Sequence, residues 1–310
     1  MTVSLRIGLL LAAAAGSLVA LWLAADAAHA LRVRGRLARA PTRTPAAPFF
    51  LNPAGAPALL LVHGFADGPA VFAQLAPPLA DAGFAVRALR LSGSGVPPAE
   101  MKGTTLAAWR ADVDREIAAL RAARPDRPIW LVGHSLGGAL AVDAALRPGN
   151  DVAGLVLLAP LLAVARARGP LLAPRQWFDL FDRFLVFTDV VESRLPKDLR
   201  DPAARAAYVT DKFVHRDVYR ALFDAVDAVR PRAADWRGPL LVAISPSDQI
   251  VDVAATRFFF AATNAAPAKL CEQVAAGHVL PLDYGHAKLA EKIVRFVRDA
   301  AATPRRDPAL

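Results

Sequence analysis

The sequence has little cysteine, no clustered histidine and few carboxylates near its N-terminus, and each shortage removes a class of function. A single cysteine, Cys271, in 310 residues excludes an internal disulfide framework and a cysteine-built metal site. The six histidines show neither HxH nor HxxxH spacing, so no zinc-type site is expected, and no metal or other cofactor is implied. Residues 1–43 hold six arginines against one carboxylate, Asp26, so much of the +9 net charge lies there. The body is only mildly basic and contains no nucleic-acid-binding motif, so a nucleic-acid partner is not expected. There is no internal repeat and no low-complexity tract beyond an alanine bias. The chain does have apolar residues, 55% of the total, which suffices for a sizeable core in one large domain or two small ones.

Residues 7–25 carry no charge. As a helix rising about 1.5 Å per residue they would span about 28 Å, close to the hydrocarbon thickness of a bilayer. Two readings of residues 1–31 follow. In one they form an uncleaved transmembrane anchor. In the other they are a signal segment cleaved after Ala28-His29-Ala30, with export to the periplasm or medium. The run is longer than a usual signal core, and five arginines (32, 34, 36, 39, 43) follow it. Positive charge resists translocation, so the anchor is favoured, with the arginine-rich side in the cytoplasm. Residues 32–47 are expected to be a solvated, basic, proline-rich linker that lies near anionic headgroups. The body is expected over 48–300, with a tail at 301–310.

Short apolar runs recur through the body at 58–65, 84–91, 128–134, 154–160, 239–245 and 268–275. Near-continuous apolar runs imply strands buried on both faces of a parallel sheet. Helical patterns fall between them at 70–82, 104–124, 136–147, 251–262 and 286–300. The alternation predicts an α/β fold with a mostly parallel, doubly wound sheet, whose sites lie outside the carboxyl ends of strands. Residues 161–238 break the alternation. They hold Trp177, Phe178, Phe181, Phe184 and Phe187, then Phe213, Tyr219 and Phe223, and are expected to form an inserted helical cap.

The stretch "GHSLG" at 133–137 matches G-x-S-x-G, follows an apolar run and opens a helical pattern. Side chains at Gly133 and Gly137 would collide with the neighbouring strand and helix, and Ser135 would hold a strained turn with its hydroxyl exposed. A serine hydroxyl needs a base. In folds with this elbow, an acid and then a histidine follow the serine in sequence. Asp248, just after the run at 239–245, is the candidate acid, and its rival Asp252 reads as the cap of the next helix. His278, after the run at 268–275, is the candidate base, and its rival His286 reads as a surface residue starting the last helix. His215 reads as a solvated residue of the insert and His134 as a packing residue. An oxyanion would be held by the N–H of Leu136, at the helix start, and by that of Phe65, where His63-Gly64 lets the chain turn sharply.

With "HGF", Ser135, Asp248 and His278 in place, residues 48–297 resemble the α/β-hydrolases, and among these the bacterial carboxylesterases and monoacylglycerol lipases. "LLLVHGFADGPAVFAQLAPPLADAGFAVRALRLSGSG", "WRADVDREIAAL", "VGHSLGG", "ISPSDQIVD" and "AGHVLPLD" carry the resemblance. It implies carboxylic ester hydrolysis through an acyl-enzyme, without cofactor, on a small-molecule or lipid ester bound beneath a cap. Carried over, Ser135 is the nucleophile, His278 the base and Asp248 its orienting acid, with Phe65 and Leu136 as oxyanion donors. The expected location is the bacterial inner membrane, through residues 7–25. The chain departs from these relatives at "SGSG", 92–95, where many have G-H-G, and in its membrane-like N-terminus. Acyl transfer or another chemistry on the same scaffold is the alternative. A non-catalytic membrane-associated binding role is a third reading, opposed by the intact Ser, Asp and His. No oligomeric state is implied.

Overall fold

Six short apolar runs become strands of one sheet. The computed structural model describes residues 3–41, 43–169, 171–193, 196–263, 267–272 and 275–302. Its strands are β1 (Phe49–Leu51), β2 (Ala58–Val62), β3 (Ala85–Ala88), β4 (Ile129–His134), β5 (Gly154–Leu158), β6 (Val190–Glu192), β7 (Phe213–His215), β8 (Leu240–Ile244) and β9 (Ala268–Glu272). Seven of them pair in the order β1-β3-β2-β4-β5-β8-β9. All neighbours are parallel except the edge pair β1 and β3. Every residue of β2, β4, β5 and β8 is buried, as required of strands covered on both faces.

The two faces can be read from β4, since alternate residues of a strand point oppositely. Trp130 meets Phe296 of the last helix, His286–Ala302, with ring centroids 5.9 Å apart. Gly133, of the opposite parity, lies against the helix Leu136–Ala145. The helices Leu106–Ala123 and Arg216–Val229 pack beside the latter, and Ala76–Asp81 packs beside His286–Ala302. Local chemistry sets the helix starts. Thr105 Oγ1 accepts from the Ala108 amide at 3.2 Å, and Asp252 accepts from Ala255 at 3.0 Å.

Three features differ from the sequence expectation. First, β1 joins the sheet antiparallel, a three-residue edge strand too short to show a period. Second, residues 161–238 are not purely helical. Besides the helices Pro174–Phe184, Pro202–Ala207 and Arg216–Val229, they contain the antiparallel ribbon β6–β7. Arg216–Val229 buries Val218, Ala221, Leu222, Ala225, Val226 and Val229 and packs on Leu136–Ala145. It therefore belongs to the body's helical layer, not to an overlying insert. His215, expected on the surface, is buried at 6% exposure and caps this helix, accepting from the Asp217 amide at 3.2 Å.

Third, the basic stretch is not a free tether. A single helix, Val3–Leu37, runs through "RVRGRL". Its arginines find carboxylates on the insert: Arg34 with Asp189 at 3.4 Å and Arg36 with Glu192 at 2.7 Å. Arg43 pairs with Asp211 at 2.7 Å. These charges were placed in solvent because their partners lie about 150 residues away in sequence. The expected tail begins inside the last helix, which ends at Ala302; residues 303–310 lie outside the described ones, as do 273–274 of the last expected strand.

The N-terminal helix is long and apolar enough to cross a bilayer, and its most apolar window is not buried against the body. From Trp22 onward it docks on the insert. Trp22 Nε1 donates to the Phe184 carbonyl at 3.0 Å. Asp26, 4% exposed, accepts from the amides of Val186 (2.7 Å) and Phe187 (2.8 Å) and from the Thr188 hydroxyl (2.5 Å). A buried carboxylate with three donors is a strong fastening, and removing it leaves those donors unpaired. In hydrogen-exchange measurements, Asp26→Ala is expected to speed exchange at Val186 and Phe187 by at least about tenfold. Unchanged protection would show that the helix does not hold this segment.

Candidate active site

The site is assembled from the carboxyl ends of four strands. Ser135 follows β4 directly and opens the helix Leu136–Ala145. It has φ 53° and ψ −119°, a left-sided conformation that costs an L-residue on the order of 1–3 kcal/mol. The surrounding backbone imposes it: the Ser135 amide donates to the Leu158 carbonyl at 3.0 Å, and its carbonyl accepts from Gly138 and Leu161, both at 2.9 Å. The glycines are steric necessities. A Cβ on Gly137 would lie 1.9 Å from the Val62 carbonyl oxygen, and one on Gly133 would lie 2.3 Å from the Gly137 oxygen. The helix therefore packs with no side chain between it and β2. Gly138 has the same role against Pro160, at 2.7 Å.

Asp248 follows β8 and is 1% exposed in its side chain. Its Oδ1 accepts from the amides of Ile250 (2.8 Å) and Val251 (3.0 Å). Its Oδ2 accepts from His278 Nδ1 at 2.8 Å. Burial pushes this carboxyl up, but the imidazole of His278 and the two amides outweigh it and hold it below the usual carboxylate range. Asp248 is thus an anion aimed at Nδ1, which leaves Nε2 as the ring nitrogen not bonded to the carboxylate. The imidazole lies beside the elbow, its centroid 5.0 Å from that of His134, the residue before the serine. Both rivals lie elsewhere. Asp252 is spent on its helix cap, and His286 hydrogen-bonds through Nδ1 to the Asp283 carbonyl at 3.0 Å.

The exit of β2 supplies the third wall. Gly64 brings this loop close to the serine. Its φ is not in the left-handed region, but a Cβ there would sit 3.2 Å from Ser135 Cβ. His63 fixes the loop. Its Nε2 accepts from the Leu91 amide at 3.1 Å, so Nδ1 bears the proton and donates to the Gly64 carbonyl at 2.9 Å. Burial lowers its pKa to about 4, which keeps it neutral. His134 is likewise neutral: burial, then the neighbouring His278, lowers its pKa to about 3, and Nε2 donates to the His278 carbonyl at 3.2 Å. Phe65 and Leu136 border one small cleft together with Gly64.

Sequence reasoning missed two supporting carboxylates. Asp283, fully buried, accepts from four backbone amides: Gly277 at 2.6 Å, Tyr284 at 2.8 Å, and Arg200 and Asp201 at 2.9 Å. Asp198 accepts from Gln249 at 2.7 Å through its side chain, and its carbonyl accepts from His278 at 2.8 Å. Together they tie the Asp248 loop and the His278 loop to residues 198–201. Asp283 was visible in "AGHVLPLD", but an aspartate five residues past a histidine has no local period to mark it. Asp198, on the insert, carried no signal at all.

A second polar cluster lies behind the Phe65 loop. Asp67 accepts from the Gly68 amide (2.8 Å) and the Tyr208 hydroxyl (2.9 Å). Burial raises its pKa from 3.8 to about 7, against the pull of these donors and of Arg43. A carboxyl with a raised folded-state pKa binds more protons when folded, so its contribution to stability is present below about pH 4 and is lost as pH rises through about 7. The melting temperature of Asp67→Asn relative to the parent is therefore expected to rise between pH 5 and pH 8. A constant difference across that range would contradict the assignment.

Residues 55–283 match the family described as serine aminopeptidase, S33. The chain is 42% identical over 102 residues to the pimeloyl acyl-carrier-protein methyl ester esterase of Aromatoleum aromaticum, a match that covers 33% of this chain and 36% of that protein. It is 26% identical over 261 residues to a thermostable monoacylglycerol lipase of a Bacillus species, covering 83% of this chain and 96% of the lipase. Among solved structures, a metagenome-derived lipolytic enzyme superposes with a TM-score of 0.72 at 22% identity, over 84% of this chain and 100% of that one. A soluble variant of the Saccharomyces cerevisiae monoglyceride lipase, bound to a substrate analogue, gives 0.71 at 16%, over 83% and 92%. At these identities the superpositions establish the fold.

Proposed function

We propose, for a chain that belongs to the serine aminopeptidase S33 family of the α/β-hydrolase superfamily, that it hydrolyses carboxylic esters through an acyl-enzyme on Ser135. The observation that carries this reading is the 2.8 Å contact between Asp248 and His278 Nδ1, set beside a serine held in a strained elbow. Ser135 Oγ adds to the ester carbonyl carbon while His278 Nε2 takes its proton, and Asp248 stabilises the imidazolium. The carbonyl oxygen becomes an oxyanion received by the amides of Phe65 and Leu136. Collapse breaks the bond to the alcohol oxygen, and His278 returns the proton to that leaving group. Water then adds to the acyl-serine with His278 again as base, and the acid departs as Ser135 regains its proton.

The family description names a peptidase, whereas the relatives above are an esterase and lipases. Both chemistries use the same acyl intermediate. Esters are favoured because an aromatic cluster borders the Phe65 loop: Tyr219, on the helix Arg216–Val229, lies 4.8 Å from Phe65 and stacks on Phe178 of the insert, which in turn meets Phe223. We assign the body to 48–300 and a capping role to the part of 161–238 that lies before the helix Arg216–Val229.

The N-terminal helix is read as an uncleaved anchor, with residues 7–25 in the bilayer and the body on the arginine-rich, cytoplasmic side. Cleavage after Ala30 would remove Asp26 and strand the amides of Val186 and Phe187 that it receives. This supports retention over export.

A fluorophosphonate probe is expected to label the full chain and not Ser135→Ala. Asp248→Asn should lower kcat on a p-nitrophenyl ester by roughly 10³–10⁴ with little change in KM, as the loss of an orienting carboxylate does. Equal labelling of Ser135→Ala, or full activity in Asp248→Asn, would overturn the proposal. Faster turnover of an amino-acid p-nitroanilide than of any ester would favour the peptidase instead.

A further inference from the structure

The N-terminal helix does more than lie beside the insert. It turns one face, Trp22, Ala25, Asp26, His29, Arg32, Val33 and Arg36, towards a cavity of about 780 Å³. These positions follow the helical spacing of three and four, so they form one stripe, about 21 Å long from Trp22 to Arg36 at about 1.5 Å per residue. The opposite wall is the insert, through Phe178, Phe181, Leu185 and Val191, joined by Tyr219 and Phe223 of the body helix Arg216–Val229. The lining is largely apolar, and the Asp26 carboxylate is already engaged by the insert's backbone. The insert helix Pro174–Phe184 buries none of its residues. Its Phe181 and Phe184 are 43% and 51% exposed on the side where Trp22 meets the Phe184 carbonyl.

Two ends of this cavity are identifiable. At Trp22 it meets the uncharged run 7–21, whose exposed leucines imply hydrocarbon surroundings, and a tryptophan at the end of such a run marks the membrane interface. At Tyr219 it meets the candidate oxyanion loop, because the rings of Tyr219 and Phe65 lie 4.8 Å apart. We propose that this cavity is an acyl-chain site for a membrane lipid ester, with the N-terminal helix as one of its walls. The acyl chain leaves the bilayer between Trp22 and Phe181, and the ester reaches Ser135 past Tyr219. The anchor is then part of the specificity pocket, and long acyl chains are selected by a surface that the body alone does not possess. This inference rests on the anchored-esterase reading above. Its chemistry is the burial of methylene groups.

The test uses the full chain in lipid nanodiscs. Ala25→Trp fills the cavity, whereas Ala24→Trp places the same ring on the neighbouring exposed residue, about 100° round the helix and outside the cavity. The ratio of kcat/KM for a p-nitrophenyl dodecanoate over the acetate is expected to fall by at least about tenfold in Ala25→Trp and to stay at the parent value in Ala24→Trp. An unchanged ratio in Ala25→Trp, or equal falls in both variants, would overturn the proposal. A second readout does not depend on turnover. A dodecanoyl ester bearing a terminal diazirine should cross-link Ser135→Ala within residues 22–36 or on the insert, and Ala25→Trp should suppress this. Cross-links confined to residues 7–21 would refute the site. If the parent hydrolyses no ester but the cavity is still labelled, the site stands and the hydrolase reading fails.

Discussion

The structure depends on a clearance in which no side chain fits. The helix after β4 lies so close to β2 that a single methyl on Gly137 would overlap the Val62 carbonyl at 1.9 Å. That contact forces the strand to reverse at Ser135 and places its hydroxyl above the sheet. It also brings the β2 exit, with Gly64, against the same serine. The strain stored at Ser135 is offset by the buried strands beneath it and by backbone hydrogen bonds to Leu158, Gly138 and Leu161. The remaining groups are brought to this fixed point by loops. Asp248 and His278 arrive on the ends of β8 and β9, and Asp283 and Asp198 brace those loops through backbone amides.

The electrostatics follow from burial. Three histidines stand close to the serine, and burial keeps two of them, His63 and His134, neutral. Each is used as a hydrogen-bonding strut. Of the three, only His278 faces a carboxylate at hydrogen-bond distance, Asp248 at 2.8 Å. Three similar side chains thus stand in different settings: two are neutral struts, and one, His278, is paired with a carboxylate.

Where a feature rested on local pattern, it was legible in the sequence. The apolar runs at 58–65, 128–134, 154–160 and 239–245 needed only their composition to be placed as strands buried on both faces, and the glycines around Ser135 needed only the steric logic of the elbow. Features set by distant partners were not legible. Arg34, Arg36 and Arg43 looked solvated because Asp189, Glu192 and Asp211 lie far along the chain. His215 looked exposed because its helix-capping role depends on the bend after β7. The close approach of Gly64 to Ser135 left no trace in the residues around it. Asp283 was in view but unassigned, because an aspartate that gathers four amides from two separate segments is recognisable only in three dimensions.

The most direct test of the central claim is a crystal structure of the chain inactivated by an alkyl phosphonate. The account predicts phosphorus bonded to Ser135 Oγ and the phosphoryl oxygen about 2.7–3.1 Å from the amide nitrogens of both Phe65 and Leu136. It also predicts His278 Nε2 turned to the serine oxygen, with Nδ1 still on Asp248. Phosphorus on another residue, or a phosphoryl oxygen pointing away from both amides, would contradict it.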